Sequence, residues 1–183
     1  MGHIIGEHIV LREYRQEDLP AIRAWANDAE ATHYLSHIFL PPQTLPMTED
    51  FLQRMLNSPF NEYHFIIADK ETLDYIGQVD LLNTNALNRT AELGVVIGAA
   101  QKRGCGVGTE AITLLLRYAF LQANLNRIDI WVNAENARAI RCYEKCGFVH
   151  EGARRQAHFA DGGYHDLLLM GALRQEWLTA RNL

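Results

Sequence analysis

A change of pattern within residues 90–123 constrains the fold of this chain more than any other feature. Residues 90–98, "TAELGVVIG", alternate as a strand does, and the apolar positions of residues 107–123 recur with the period of a helix. Between them lies "QKRGCGVGTE" (101–110), with three glycines at alternating positions. A strand, a glycine loop and a helix N-terminus together predict an anion site, because first-turn amides lack carbonyl partners and the helix dipole adds positive charge.

The periodicity of the remaining chain predicts a mixed α/β protein. Strands are predicted at residues 8–14, 63–69, 75–83, 90–98, 127–133, 148–159 and 164–173, and helices at 17–30, 48–57, 107–123 and 136–147. Short links between the second, third and fourth strands favour antiparallel pairing, whereas the long helix that follows permits one parallel step. We therefore expect a mostly antiparallel, twisted sheet of about seven strands with one parallel pair.

Capping and turn residues predict where several elements begin and end. Asp18 is predicted to cap the first helix and Thr48 the second, since both side chains can accept a hydrogen bond from a first-turn amide. Residues 37–46 hold three of the five prolines and are predicted to be irregular. Gly147 is predicted to stop the fourth helix, and "DGG" (161–163) to form the turn between the last two strands.

Composition and charge limit the classes of protein. The length of 183 residues predicts one domain spanning 1–183. A formal net charge of −5 gives no sign of a polyanion-binding surface, so nucleic acid is not an expected partner. No apolar run reaches the length of a membrane span, and "MGHIIGEHIV" lacks the pattern of a signal peptide. The odd count of three cysteines favours a reducing compartment, and we expect a cytoplasmic protein without a metal site.

Two familiar phosphate-binding motifs fit the glycine loop badly. The phosphate loop of nucleotide hydrolases ends in Gly-Lys and a hydroxyl, but the first glycine after Gly98 is Gly104, which is followed by Cys105. The dinucleotide fingerprint requires a glycine where Thr109 stands and should follow the first strand of its unit, not the fourth. A nucleotide-binding enzyme is therefore the less favoured alternative.

Two segments resemble those of a known family. Gln101-x-x-Gly104-x-Gly106, opening a helix after the fourth strand, resembles the pyrophosphate-binding motif of the GCN5-related N-acetyltransferases. "NAENARAIRCYEKCGFVHEG" (133–152) is similar to that family's cofactor-flanking segment, in which an asparagine opens a helix that carries a tyrosine. The closing "GYHDLLLMGAL" resembles the branch with ribosomal-protein alanine and spermidine acetyltransferases. Since the order of elements is also similar, the resemblance extends over nearly the whole chain.

The resemblance implies the acyl-CoA N-acyltransferase fold, with a splayed parallel strand pair, helices on both faces of the sheet, and acetyl-CoA as co-substrate. Backbone amides of the glycine loop would hold the pyrophosphate, and free backbone groups of the splayed strand would bind the pantetheine. Asn136 would contact the pantetheine, cap its helix, or do both. The residues implied in acetyl-CoA binding are Val95, Val96, Ile97, Gln101, Lys102, Arg103, Gly104, Cys105, Gly106, Val107, Gly108, Thr109 and Asn136.

Tyr143 and Glu92 are the candidate catalytic residues. Direct transfer requires a neutral amine and a proton for the leaving thiolate. Tyr143 matches the family position for the acid that supplies this proton, and the alternative is that its ring packs in the core. Glu92 resembles a strand glutamate that some members use as a base through water. The alternative for Glu92 is a salt bridge to a neighbouring strand, since a carboxylate on a central strand is costly to bury without a partner.

The sequence leaves the acceptor open. The resemblance implies a primary amine on a protein N-terminus, a polyamine or an aminoglycoside-like molecule, and the acids in residues 27–30 and 48–50 suggest a polyamine only faintly. His33 and His37, at i, i+4 spacing near the proline-rich segment where this family forms its acceptor site, could line that pocket, but solvated loop histidines are the favoured interpretation. The main alternative function is a non-catalytic acyl-CoA-binding or regulatory module of the same fold. Association of identical chains through a free sheet edge is a further expectation.

Overall fold

In a computed structural model, which describes residues 2–59 and 62–183, helices and strands follow the predicted order with some added elements. The strands are β1 (Ile4–Ile5), β2 (Ile9–Arg12), β3 (Tyr63–Asp69), β4 (Tyr75–Asn85), β5 (Thr90–Ile97), β6 (Arg127–Asn133), β7 (Val149–Ala160) and β8 (Gly163–Leu173). The helices are α1 (Leu19–Ala26), α2 (Ala29–Thr32), α3 (Leu45–Leu56), α4 (Val107–Leu121), α5 (Ala137–Cys146) and α6 (Arg174–Thr179).

The strands of the described residues form an eight-stranded sheet in the order β1-β2-β3-β4-β5-β6-β8-β7. The pairs β1/β2, β2/β3, β6/β8 and β7/β8 are antiparallel, and β5/β6 is parallel. The parallel pairing covers residues 90–92 of β5, although β5 continues to Ile97. The predicted mostly antiparallel sheet with one parallel pair is therefore confirmed. The additional strand, β1, has two residues and is too short to show a period.

The chain divides into two compact units, and β4, β5 and α4 contribute residues to both. The first unit contains the described residues up to Asp80 together with Gly94–Leu114. One core cluster of this unit is formed by residues of β2, β3, α1 and α3 and contains Val10, Tyr14, Ile22, Trp25, Ala26, Leu52, Ile66 and Ala68. Burial of one large apolar side chain of this kind contributes about 1.5–3 kcal/mol.

The second unit contains Leu81–Leu93 and Leu115–Leu183. Alternate residues of β6, among them Ile128 and Ile130, are buried, as a strand with one face on a core requires. The end of α4 is buried in the same unit through Phe120, whose ring lies 5.6 Å from that of Trp177. Trp177 belongs to α6, a helix that the periodicity did not predict.

The predicted continuous helix over residues 17–30 is wrong. The structure has a 3-10 turn at Gln16–Asp18, then α1, and then α2 as a separate helix. The break lies at Asn27, whose side chain accepts a hydrogen bond from Gln43 N at 2.9 Å, and at Asp28, whose backbone is extended. The Asp28 carboxylate caps α2 by accepting from Glu30 N at 3.0 Å. Partners distant in sequence therefore divide a segment whose local pattern is helical.

Asp18 occupies the predicted N-cap position of α1, but its side chain does not cap the helix. Its carboxylate accepts hydrogen bonds from both terminal nitrogens of Arg12, at 2.9 and 2.7 Å, and makes no cap bond to α1. Both side chains are buried, at 3% and 4% exposure. A buried arginine requires such a bidentate partner, and this requirement outweighs the cap.

The cap of α3 is Thr44 instead of the predicted Thr48. The Thr44 hydroxyl accepts from Met47 N at 3.4 Å, and Pro46 lies in the first turn. Thr48 is buried inside the helix and donates to Thr44 O at 3.2 Å. The prediction that residues 37–46 are irregular is therefore only partly right, because they include a 3-10 turn at His37–Phe39 and the start of α3.

The predicted helix end at Gly147 and the predicted turn at residues 161–163 are confirmed. Gly147 ends α5 with φ +100, a left-handed conformation that favours glycine. Asp161 and Gly162, with φ +50 and +77, form the turn between β7 and β8. Within the described ranges, no helix has the length and apolar character needed to cross a bilayer.

Candidate functional site

The glycine loop lies in the first unit, between the end of β5 and α4. A 3-10 turn at Ala100–Lys102 precedes it, in which Lys102 N donates to Ala99 O at 3.0 Å. Gly104 and Gly106 have φ +78 and +86, and a Cβ added to either would meet nothing within 4 Å. Their need for glycine therefore comes from the left-handed backbone, and the space over both residues is open.

The helix that follows the loop begins at Val107. Its first backbone hydrogen bond runs from Glu110 N to Gly106 O at 3.1 Å, so the amides of residues 104–108 precede the helical ladder and have no partner inside it. The loop contains two glycine pairs with the same spacing, Gly104-x-Gly106 and Gly106-x-Gly108. Helix α4 begins at Val107, within the later pair. Open space, left-handed glycines and first-turn amides fit a pyrophosphate group.

The basic side chains of the loop are engaged within the protein. The ammonium group of Lys102 lies 3.5 Å from Asp69. The guanidinium group of Arg103 donates to the carbonyls of Ile97 and Gly98, each at 3.0 Å, and to the Asp28 carboxylate at 2.7 Å. The Arg103 amide donates to Ala100 O. Arg103 is therefore part of the loop's own framework, and direct contacts of Gln101, Lys102, Arg103, Cys105 and Thr109 with acetyl-CoA stay predictions.

The last residues of β5 lie beside the loop in the same unit. Val95, Val96 and Ile97 are half-buried, and Val96 packs against the core of the first unit. A Cβ on Gly77 of β4 would come within 2.2 Å of Val96 O, so this glycine permits the two strands to approach closely. Ala99 N donates to Ile76 O at 2.9 Å and ends the pairing there.

Glu92 lies on the part of β5 that belongs to the second unit. It is half-buried, and its carboxylate accepts a hydrogen bond from Asn83 Nδ2 at 3.1 Å. Asn83 has a left-handed backbone, φ +51, that asparagine tolerates. The partner of Glu92 is therefore a neutral amide, not the cation that a cross-strand salt bridge would require. Asp129 lies opposite Glu92 in the parallel register and pairs with Arg127.

Tyr143 and Asn136 lie on α5, also in the second unit. Asn136 caps the helix by accepting from Ala139 N at 3.1 Å, which confirms its structural role. Tyr143 is 8% exposed, and burial, with smaller contributions from the thiols of Cys142 and Cys146, raises its pKa. Its ring lies 6.0 Å from that of Phe148. The hydroxyl therefore remains protonated at neutral pH, as a proton donor must.

A family comparison decides the assignment. The acetyltransferase (GNAT) domain model matches residues 8–149, which include the glycine loop, Glu92 and Tyr143. The chain belongs to the GNAT family. It is an N-acetyltransferase with acetyl-CoA as its co-substrate, and the alternatives of a nucleotide-binding enzyme and of a non-catalytic module are less well supported.

Comparisons with similar proteins and with their solved structures agree with that assignment. It is 30% identical to a spermidine N(1)-acetyltransferase of Vibrio cholerae over 178 residues, covering 96% of this chain and 98% of the relative. It is 36% identical to the putative ribosomal N-acetyltransferase YdaF of Bacillus subtilis over 101 residues, which is 55% of each chain. The crystal structure of the Vibrio cholerae spermidine N-acetyltransferase with CoA and spermine superposes with a TM-score of 0.82 at 30% identity, covering 93% of this chain and 98% of that one.

A buried polar cluster in the first unit of this GNAT chain was not predicted from the sequence. Asp80 Oδ1 accepts a hydrogen bond from the Tyr14 hydroxyl at 3.3 Å and lies 3.0 Å from His64 Nδ1. The other ring nitrogen of His64 lies 3.1 Å from Glu62 Oε2. The only signal in the sequence is one acid in the apolar strand "YIGQVDLLN", since the partners of Asp80 are distant along the chain.

The pKa values of Tyr14, His64 and Asp80 are all raised in the folded protein. Burial raises the pKa of Asp80, while hydrogen bonds from His64 and Tyr14 oppose the shift. Burial lowers the pKa of His64, but the hydrogen bonds and charges of Asp80 and Glu62 outweigh it, so that pKa is raised. Burial and the nearby charge of Asp80 raise the pKa of Tyr14 well above its ordinary value. The folded cluster therefore holds protons more tightly than the same groups in water.

Proposed function

We propose that this GNAT enzyme acetylates a primary amine of a polyamine such as spermidine or spermine. The observation that carries the proposal is the full-length match to the Vibrio cholerae spermidine N(1)-acetyltransferase, over 96% of this chain and 98% of the relative. The fold similarity to the same enzyme with CoA and spermine, at a TM-score of 0.82, supports it. We further propose that residues 1–183 act as one N-acetyltransferase domain.

In the proposed reaction, the amine attacks the thioester directly in a ternary complex. Glu92 would take up the proton of the amine, directly or through water, and Tyr143 would donate a proton to the leaving thiolate. The half-buried position of Glu92 supports the first role, and the position of Tyr143 on α5, within the matched acetyltransferase domain, supports the second. The glycine loop amides would bind the pyrophosphate, and the backbone of residues 95–97 with Asn136 would hold the pantetheine.

A protein N-terminus is the second candidate acceptor. It is favoured by the 36% identity to the putative ribosomal N-acetyltransferase YdaF, although that match covers 55% of each chain. The acids of residues 27–30, which faintly suggested a polyamine, do not separate the candidates, because Asp28 and Glu30 both form ion pairs with Arg103.

The acceptor is tested by measuring CoA release with spermidine, spermine, an alanine-initiated ribosomal-protein peptide and an aminoglycoside. We expect kcat/KM to be at least about tenfold higher for a polyamine than for the other amines. Preference for the peptide would contradict the polyamine proposal and favour the second candidate. With the best amine, intersecting initial-velocity lines are expected for a ternary complex, whereas parallel lines would indicate a covalent intermediate.

A further inference from the structure

The guanidinium group of Arg103 binds three acceptors in the first unit, namely two backbone carbonyls at the end of β5 and the Asp28 carboxylate. Its Nε donates to Ile97 O and its Nη2 to Gly98 O, so it fixes the carbonyl groups that end β5. The same Nη2 donates to the Asp28 carboxylate at 2.7 Å. The Arg103 side chain is 6% exposed. The contacts use two separate nitrogens of one rigid plane, an arrangement that an ammonium group, with its donors on a single nitrogen, does not reproduce.

Asp28 is fixed by its own contacts at the break between α1 and α2. It caps α2 through Glu30 N, and the hydrogen bond from Arg103 is the largest cause of its lowered pKa. The preceding residue, Asn27, bonds the backbone of Gln43 on both sides, at 2.9 and 3.3 Å. Hydrogen bonds at the adjacent residues Asn27 and Asp28 therefore connect the end of β5 to the segment that precedes α3.

We propose that Arg103 is a positioning residue for acetyl-CoA, which holds the end of β5 and the start of the glycine loop in place through Asp28. This inference rests on the use of acetyl-CoA and does not depend on which amine is acetylated. The peptide groups at Ile97 and Gly98 connect the strand proposed to bind pantetheine with the loop proposed to bind pyrophosphate. Without the anchored guanidinium, these groups lose their fixed orientation and must be ordered when acetyl-CoA binds.

The competing role for Arg103 is direct contact with a phosphate. Its Nη1 is buried and has no hydrogen-bond partner in the described part of the chain, although the Glu30 carboxylate lies 3.3 Å away. Asp28→Ser separates the two roles because it removes the carboxylate that accepts from Arg103, keeps a hydroxyl that can cap α2, and leaves Arg103 in place. If Arg103 contacts phosphate, releasing its guanidinium group should leave acetyl-CoA binding unchanged or make it tighter. If Arg103 acts by positioning, binding should weaken.

The test is calorimetric titration of acetyl-CoA into the wild type, Asp28→Ser, Arg103→Met and the double variant. We expect each single variant to raise Kd about tenfold, and the double variant to add little, because both changes break one interaction. Arg103→Lys should bind as weakly as Arg103→Met, since lysine keeps the charge but cannot make all three contacts. Arg117→Met, at an exposed arginine of α4, is the matched control and should bind like the wild type.

Two outcomes would overturn the proposal. One is Asp28→Ser binding acetyl-CoA as tightly as the wild type or more tightly, and the other is Arg103→Lys retaining wild-type affinity. Urea unfolding of each variant separates lost affinity from lost folding, and steady-state kinetics should show a raised KM for acetyl-CoA with kcat largely retained. Absence of binding by the wild type would instead contradict the use of acetyl-CoA itself.

Discussion

The Tyr143 hydroxyl is the proposed proton donor to the leaving thiolate. Its removal in Tyr143→Phe takes away one oxygen and leaves the ring packed near Phe148, so folding should change little. We expect kcat to fall by more than about tenfold, because general acid catalysis is lost, while the Kd for acetyl-CoA stays nearly constant. The measurements are steady-state kinetics and calorimetric titration of acetyl-CoA.

Tyr164→Phe is the control for that experiment, since Tyr164 is 69% exposed on β8 and has no role in the proposed reaction. It should retain the kcat of the wild type. An unchanged kcat in Tyr143→Phe would remove this tyrosine from the mechanism and leave it as a core residue.

Glu92 can be tested through the pH dependence of the rate. Glu92→Gln keeps the shape of the side chain and an oxygen that can accept from Asn83, so the local hydrogen bond is retained. If Glu92 is the base, kcat/KM should fall at least about tenfold and the acidic limb of its pH profile should disappear. A profile that keeps its acidic limb would assign Glu92 a structural role beside Asn83.

The left-handed backbone of Gly106 predicts the effect of replacing this glycine by alanine. Gly106 has φ +86 and open space around its Cβ position, so Gly106→Ala introduces backbone strain without a steric clash. We expect a loss of about 1 kcal/mol in the free energy of unfolding, and weaker acetyl-CoA binding because the amides are displaced. Gly152→Ala in β7 is a matched control, since a Cβ there also meets nothing within 4 Å and no left-handed φ is required.

Urea unfolding and calorimetric titration measure the two effects of Gly106→Ala separately. Wild-type affinity for acetyl-CoA in this variant would show that the loop backbone does not hold the pyrophosphate. A similar loss in Gly152→Ala would show that the effect is not specific to the left-handed residue.

Elements with strong local signals could be predicted from the sequence. The bounds of β3 and β6 agree with the prediction, and Gly147 ends α5 as expected, because period and capping are encoded in adjacent residues. The break at Asn27 could not be predicted, since it depends on Gln43 and on the contact between Asp28 and Arg103, which are 75 positions apart. Long-range hydrogen bonds override local helical propensity there.

Functional residues, too, could be predicted where the signal is local and not where it depends on residues distant in the sequence. The glycine loop was recognised because its residues are consecutive and its spacing is typical of a family. The cluster of Tyr14, His64 and Asp80 was not, because it joins residues 16 and 66 positions apart that only the sheet brings together. The role of Arg103 was likewise hidden, since a sequence shows its charge but not the carbonyls that its guanidinium group binds.

This buried cluster also predicts how the stability of the protein depends on pH. The pKa of His64 is raised in the folded state above its ordinary value of 6.5, so the folded chain binds this proton more tightly than the unfolded chain. Its stabilising contribution is fully present below the unfolded pKa and is lost as pH rises through the folded pKa. The free energy of unfolding should therefore fall with rising pH above about pH 6.5.

The contribution of His64 is isolated by comparing variants in urea unfolding between about pH 5.5 and 8.5. His64→Gln should flatten the fall in stability, and Asp80→Asn should reduce it, because Asp80 is the nearer of the two carboxylates that favour the imidazolium. His165 also has a raised pKa, chiefly through its hydrogen bond to Ala160 O, but it is present in every variant and cancels from the differences. His37→Gln, at an exposed position, is the control. If His64→Gln retains the full slope of the wild type, the pH dependence arises elsewhere, and the cluster is held together by neutral hydrogen bonds alone.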